Sequence, residues 1–306
     1  MSVIGLDTSN YTTSIACFDG KGGMNCSQLL PVKAGELGLR QSDAVFHHTK
    51  SLPELSGRLF SHVSGGISSV AVSTRPRAVE GSYMPCFMVG YSHAKLLSDA
   101  FHVPLFEVSH QQGHVAAALW SAGRLDLMDT PHIAWHLSGG TTELLLVEPE
   151  GKNVKCTRIG GTSDISAGQL IDRTGQLLGL PFPAGKHLDE LSKVSSKTDV
   201  FKVKCPELSF SLSGVQNKVQ QYFAAGNSKA DTAAFALRCV CYAVVQATQN
   251  AQKVYPGLGV VFSGGVASNS MLQQLTVELN PIFAQPQYAT DNAMGVAVLA
   301  HRLQEG

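Results

Sequence analysis

The chain is short of charge. Asp, Glu, Lys and Arg make up 15% of its 306 residues, against about 25% in an ordinary soluble domain. The 23 basic and 23 acidic side chains cancel, so no global field draws the protein to nucleic acid. Such binding would need a local patch or a partner. Long apolar runs are missing too. None reaches the roughly 18 residues of a bilayer span, and no basic stretch opens the N-terminus as in a signal peptide. A cytoplasmic protein without a membrane partner is expected. The seven cysteines are odd in number and scattered, as reduced buried thiols are. Cys239 and Cys241 form a C-x-C with no second pair to complete a zinc site. There is no Gly-Lys-Ser/Thr P-loop, no G-x-G-x-x-G and no G-x-S-x-G elbow, so P-loop NTPases, Rossmann dehydrogenases and α/β-hydrolases find no support.

What the chain does have is core. Hydrophobic residues make up 44%, enough for one large domain or two ordinary ones. The segment "SVIGLDTSNYTTSIACFDGKG" reads as an apolar strand ending at Asp7, a small polar turn and a second strand to Phe18. The segment "HIAWHLSGGTTELLLVEPEGK", from His132 to Lys152, repeats the design. Aligning the Thr-Thr pairs places Ser9 over Ser138, which suggests a unit beginning near 1 and again near 132. Between and after these hairpins strands and helices alternate. Helices are expected over 41–62, through "YMPCFMVGYSHAKLLSDAF", and near 164–179, 185–196, 213–224, 228–253 and 291–304. The class is α/β.

Three Gly/Ser/Thr turns follow apolar strands: "LDTSNYTTS", "LSGGTTE" and "FSGGVASNS", the last containing Gly265 and Asn269. Each offers backbone N–H groups and hydroxyls to an anion such as a phosphate. Together they point to a nucleotide cleft between two related halves. In "VSHQQGHVAAAL", His110 and His114 stand one helical turn apart on one face. Peptidases of the H-E-x-x-H type carry a glutamate base where this chain has Gln111, and an amide cannot accept the proton. With Asp291 of "YATDNAMG" the pair would bind Zn²⁺ or Fe²⁺ with open positions. Packing on a helix face is the competing reading. Gly113 weakens that helix by about 1 kcal/mol relative to alanine, so a close neighbour is expected there. His47, His48, His132 and His136 read as structural. Arg75, Arg77 and Glu80 of "STRPRAVEGSYMP", just past a strand end, form either a solvated loop or the rim of an active site.

The order of motifs resembles the TsaD-type tRNA N(6)-threonylcarbamoyladenosine synthases, long known as the glycoprotease or O-sialoglycoprotein endopeptidase family. The resemblance runs through "IGLDTS", "SHQQGHVAAAL", "LSGGTTEL", "SAGQLIDRTGQLLGLPFPAGKHLDEL", "LSFSLSGVQNK", "FSGGVASNSML" and "ATDNAMGVAVLA". It implies the actin-like ATPase fold of sugar kinases and heat-shock chaperone ATPases, in two duplicated lobes. The expected bounds are 1–118 with 286–306 for one lobe and 119–285 for the other. By position, His110, His114 and Asp291 resemble the metal ligands. Leu137, Ser138, Gly139, Gly140 and Thr141 resemble the phosphate loop. Asp172, Gly185, Asp189 and Asn269 resemble the residues that hold the adenylate. The implied chemistry is transfer of a threonylcarbamoyl group from its AMP anhydride to the adenine beside a tRNA anticodon. A metal acting as Lewis acid needs no glutamate base, which suits Gln111. The implied cofactors are one divalent metal, iron or zinc, and an adenine nucleotide. The implied partners are tRNA, a smaller paralogous subunit and an ATPase.

The chain also departs from that pattern. Tyr11 and Thr12 stand where the family carries two acids, and "RPRAVEG" replaces a Gly-Pro-Gly turn. Thr141 replaces the histidine of Ser-Gly-Gly-His-Thr. A phenol is a poor base at neutral pH. A nucleotide-binding scaffold without transferase activity is therefore the second expectation, and a metallopeptidase the third.

Overall fold

The computed structural model describes residues 1–9, 11–31 and 39–305. Its first sheet has the order β3-β2-β1-β4-β5. The strands are β1 (Ser2–Thr8), β2 (Thr12–Phe18), β3 (Gly23–Leu29), β4 (Ile67–Arg75) and β5 (Leu105–Ser109). β2 runs antiparallel to β1 and to β3, while β4 and β5 are parallel to β1 and to one another. β1 is buried over almost its whole length, as a central strand covered on both faces must be. Helices α1 (Gln41–Phe60), α2 (Phe87–Phe101) and α3 (His110–Ser121) belong to the same half of the chain.

The second sheet has the order β11-β10-β6-β7-β8-β9. Its strands are β6 (His132–Leu137), β7 (Thr142–Glu150), β8 (Asn153–Thr162), β9 (Ser209–Phe210), β10 (Val260–Ser263) and β11 (Pro281–Phe283). Here β7 is antiparallel to β6, and β10 is parallel to both β6 and β11. Apart from β9 this repeats the first sheet strand for strand. The two hairpins also share one register. Thr8 faces Thr13 in the first, and Leu137 faces Thr142 in the second, which is the register that aligning the Thr-Thr pairs demands. The helices that follow are α4 (Ala167–Leu178), α5 (Gly185–Ser192), α6 (Ser213–Ala224), α7 (Lys229–Val254), α8 (Ser270–Thr276), α9 (Pro286–Ala289) and α10 (Met294–Gln304).

The chain forms two compact units. One comprises residues 1–130, 148–156 and 291–306, and the other 131–147 and 157–290. The first has a core of Ile4, Leu6, Ile15, Leu52, Leu55, Leu59, Val70 and Val72. The second is built on Trp135, Leu144, Phe210, Phe262 and the buried face of α7. The Trp135 indole donates to Thr248 Oγ1 at 2.8 Å, so its one polar atom is satisfied inside that core. Among the described residues no helix is long and apolar enough to cross a membrane.

Three strands escaped the sequence reading. β3 (GMNCSQL) is polar and half exposed, as an edge strand is. β8 (NVKCTRIGGT) lacks a clean alternation, and β11 is only three residues long. The last helix begins at Met294, so Asp291 sits in the turn ahead of it and not on its first turn.

Candidate functional site

The first unit gathers the histidine pair with Asp291. Ser109 opens α3 as a capping box. Its hydroxyl accepts from the Gln112 amide, and the Gln112 side-chain oxygen accepts from the Ser109 amide at 2.8 Å. The other end of Gln112 donates to Val154 O at 2.8 Å, so a buried amide helps to hold this helix. Gly113 has the expected neighbour. A Cβ there would stand 3.1 Å from Val296 Cγ2, and a Cβ on Gly295 would collide with the Gly113 carbonyl. α3 and α10 therefore cross glycine to glycine. α10 also rests on β1 at Gly5, where a Cβ would lie 2.6 Å from Ala297 N. That crossing delivers Asp291 to the histidines across 177 residues of sequence.

His114 Nε2 lies 2.9 Å from His110 Nε2 and 3.2 Å from Asp291 Oδ1. His110 Nε2 is 3.6 Å from the same carboxylate oxygen. Ligand atoms on one ion at about 2.0–2.2 Å stand roughly 3.0–3.5 Å apart. The three distances bracket this spacing within 0.1 Å, so the donor set fits a single metal. Supporting contacts fix the ligands. His110 Nδ1 lies 2.7 Å from Asp7 Oδ2, and the other Asp7 oxygen accepts from Ser73 Oγ at 2.8 Å. Ser9 Oγ donates to Asp291 Oδ2 at 3.3 Å. With its proton on Nδ1 toward Asp7, the His110 ring turns the Nε2 lone pair to the metal point.

The electrostatics agree. Burial alone would lower the His110 imidazole. The charge of the Asp7 carboxylate, with the hydrogen bonds that Asp291 and Asp7 accept from the ring, outweighs this and pushes it up to about 10. Burial would raise Asp291, but its hydrogen bonds with His110 and His114 hold it well below the usual carboxylate range. The cluster thus favours a positive charge on His110. Asp7 is 1% exposed. In the sequence it reads as the end of a strand and as an acid able to substitute for those missing at positions 11 and 12, not as a partner of His110. The available signal was an acid closing a fully apolar strand.

The second unit holds a cavity of about 430 Å³. It is lined by Gly139, Asp172, Gly185, Asp189, Gly265 and Asn269, with Gly168, Ile171, Pro183, Lys186, Val266 and Ser268. Six of the residues singled out for an adenylate thus share one pocket. Leu137, Ser138, Gly140 and Thr141 do not line it. They form the adjoining turn, closed by Ser138 N to Thr141 O at 2.8 Å and Thr141 N to Ser138 Oγ at 3.1 Å. A Cβ on Gly139 or Gly140 would meet nothing, whereas one on Gly168 would stand 2.5 Å from Gly139 Cα. The start of α4 is therefore pressed against a turn whose other side is open. Asp172 Oδ1 accepts from the Ala184 amide at 2.8 Å, and burial raises its carboxyl. Asp189 Oδ1 is more heavily used. It accepts from Asn269 Nδ2 at 2.7 Å and from Ser270 Oγ at 2.9 Å. Asn269 itself caps α8 through the Leu272 amide.

The chain matches the TsaD family, described as tRNA N6-adenosine threonylcarbamoyltransferase, over residues 38–298. The chain belongs to this family. A protein named tRNA N6-adenosine threonylcarbamoyltransferase from Carboxydothermus hydrogenoformans is 33% identical over 253 residues, covering 78% of this chain and 72% of that protein. One of the same name from Thermosipho africanus is 29% identical over 324 residues, covering 99% and 94%. These names describe acyltransferases. Among solved structures, HypF of T. kodakarensis has a TM-score of 0.67 at 14% identity, over all of this chain and 48% of that one. The chain thus spans about half the length of HypF. Component A of the Acidaminococcus fermentans (R)-2-hydroxyglutaryl-CoA dehydratase has a TM-score of 0.57 at 15% identity, covering 99% of both chains. These likenesses concern the fold, which is the two-lobed actin-like ATPase fold.

The departures of this TsaD-family chain have definite places. Tyr11 is half-buried in the β1–β2 turn, its carbonyl accepting from the Leu30 amide at 2.8 Å. Thr12 is buried as the first residue of β2. Thr141 is the last residue of the 138–141 turn.

Proposed function

We propose that this chain transfers a threonylcarbamoyl group from its adenylate to an acceptor amine, the adenine beside a tRNA anticodon. The observation that carries the reading is the convergence of His110, His114 and Asp291 in a chain of the TsaD family. In the reaction the amine nitrogen bonds to the carbamoyl carbon, the bond from that carbon to the AMP oxygen breaks, and the amine loses a proton. A Zn²⁺ or Fe²⁺ ion held by His110, His114 and Asp291 would supply a Lewis acid at the carbonyl. Asp7 holds His110 in the ligating tautomer, and Ser9 and Ser73 orient the two carboxylates. The adenylate occupies the cavity of the second unit. There the free oxygen of Asp172 accepts from a ribose hydroxyl, and the phosphate lies toward Gly139 and Gly140. Asp189 keeps its structural bonds to Asn269 and Ser270 and serves by shaping the wall. The partners are tRNA, a smaller paralogous subunit and an ATPase, all in the cytoplasm.

The test is incubation of the metal-loaded protein with tRNA, threonylcarbamoyl-AMP and the helper proteins, followed by nucleoside mass spectrometry. Modified adenosine is expected. None, where a standard family member produces it, sinks the tRNA reading. A second reading rests on Tyr11, Thr12 and Thr141, which remove two acids and a histidine from the turns. It makes the chain a nucleotide-binding scaffold subunit. Tight AMP binding without turnover of any carbamoyl donor is its signature.

A further inference from the structure

The chain is neutral as a whole, but its charge is not spread evenly. From Leu208 to Val277 the sequence holds four basic residues, Lys218, Lys229, Arg238 and Lys253, and one acid, Asp231. That acid is engaged, accepting from Ser195 Oγ at 2.6 Å and pairing with Lys197 at 3.4 Å. The stretch contains α6 and α7, and residues 199–207 are tied to both helices. Tyr222 of α6 donates its hydroxyl to Asp199 Oδ2 at 2.7 Å. On α7, Arg238 Nη1 donates to Asp199 O at 3.0 Å, Cys239 Sγ accepts from the Phe201 amide at 3.2 Å, and Asn250 Nδ2 donates to Glu207 O at 3.2 Å. Val203 is buried in the same core as Val215 and Val219 of α6.

While Val203 is buried, the residues on either side of it are exposed. Lys202 and Lys204 have no hydrogen bond or ion pair among the described residues. Lys218 of α6 reaches the same segment. Its Nζ stands 5.9 Å from the centre of the Phe201 ring, and its hydrogen bond goes to Gln221, not to an acid. The segment's own acids, Asp199 and Glu207, stand at its two ends. Phe201 is 39% exposed, as is Tyr242, which follows Arg238 by one turn of α7. α6 carries no acid and exposes Asn217 and Gln220 beside Lys218. An acidic protein would be met by the lysines alone. Flat rings and amides set among lysines suit a polynucleotide, whose phosphates meet the cations while its bases and sugars meet the rings and amides. This face begins beside the cavity of the second unit. Arg173, which follows the cavity residue Asp172, donates to Gln216 of α6 at 2.7 Å.

We propose that Lys202, Lys204 and Lys218, with Phe201 among them, form a surface for the phosphate backbone of RNA. This deepens the transferase reading and rests on its choice of tRNA as the acceptor. A chain with no net charge holds a polynucleotide through a local patch of this kind. The lysines position the RNA and read no sequence.

The experiment follows binding of an unmodified tRNA transcript by fluorescence anisotropy over about 50–200 mM salt. Full-length wild type is compared with Lys202→Gln/Lys204→Gln/Lys218→Gln. A control of equal charge loss, Lys21→Gln/Lys50→Gln/Lys155→Gln, changes lysines of the first unit. Circular dichroism and AMP affinity are recorded for each. The first variant should bind tRNA at least about tenfold more weakly, and its slope of log affinity against log salt should fall by about one per lysine. Its AMP affinity should equal that of wild type, and the control should keep the wild-type slope. If the triple variant misfolds, Lys202→Gln/Lys204→Gln should still lose about two units of slope. The proposal is overturned if wild type binds no tRNA, if the first variant binds as wild type does, or if the control weakens as much. It is also overturned if polyglutamate binds wild type as tightly as tRNA does and is lost in the same variant, which would make the face a site for an acidic protein. The two readings fail separately. Loss of tRNA binding in the first variant, with no modified adenosine made by wild type, refutes the transferase and leaves the surface standing. Modified adenosine formed by the first variant at the wild-type KM refutes the surface and leaves the transferase.

Discussion

Asp7 shows what one residue contributes to this site. Its two oxygens are committed to His110 Nδ1 and Ser73 Oγ, so it never touches the metal point but decides which His110 nitrogen does. Outer partners of this kind typically contribute 10–100-fold in metal affinity. Asp7→Asn should therefore weaken zinc binding by roughly that factor, read by chelator competition. Affinity equal to wild type would remove Asp7 from the site. The same residue sets a pH dependence in the metal-free protein. His110 is raised above its unfolded value, to about 10. Its contribution to stability is complete below about pH 6.5 and is lost as the pH climbs to about 10. Urea midpoints of the metal-free protein should fall across that window. Zinc replaces the proton at Nε2, so the loaded protein should show little of this decline.

At the scale of elements, the crossing of α3 and α10 makes the site. Asp291 has no ligating neighbour in sequence and reaches the histidines only because Gly113 and Gly295 let two helix backbones meet. Gly295→Ala puts a methyl against the Gly113 carbonyl, and Ala117 N stands 2.7 Å away on the other side. Neither obstacle is a flexible side chain. The helices must part, at about 1–3 kcal/mol for an overpacked core. The variant should be less stable in urea and should also bind zinc more weakly, because Asp291 leaves with α10. Normal zinc affinity in a destabilised variant would mean that the turn before α10, not the crossing, positions the carboxylate.

On the scale of the whole molecule, the two candidate sites belong to different units. The histidine cluster lies in the unit of residues 1–130, 148–156 and 291–306, and the cavity in that of 131–147 and 157–290. A ligand that binds only the native form lowers local opening where it binds. Hydrogen exchange should thus show zinc protecting α3 and residues 291–304, and AMP protecting α4, α5 and residues 265–276. AMP protection confined to α3 would refute the nucleotide pocket, and zinc protection confined to α4 and α5 the metal centre.

The sequence alone determined the class, the repeat and the family. Strand and helix periodicities are local, and so is the matched pair of hairpins, whose Thr-Thr alignment equals the ladder register of both sheets. The motifs that resemble the TsaD family named the three residues that meet in the histidine cluster and six that line the cavity. Polar edge strand β3, ill-patterned β8 and three-residue β11 were not legible, because their sheet positions are paid for by neighbours and not by their own residues. Tertiary structure alone decided that Asp7 orients His110, that Asp189 is occupied by Asn269 and Ser270, and that Arg75 stands at the start of the histidine helix. Each of these is a contact between residues far apart in the chain. Contacts of that kind arise from how helices and strands pack, and no local pattern of residues encodes them.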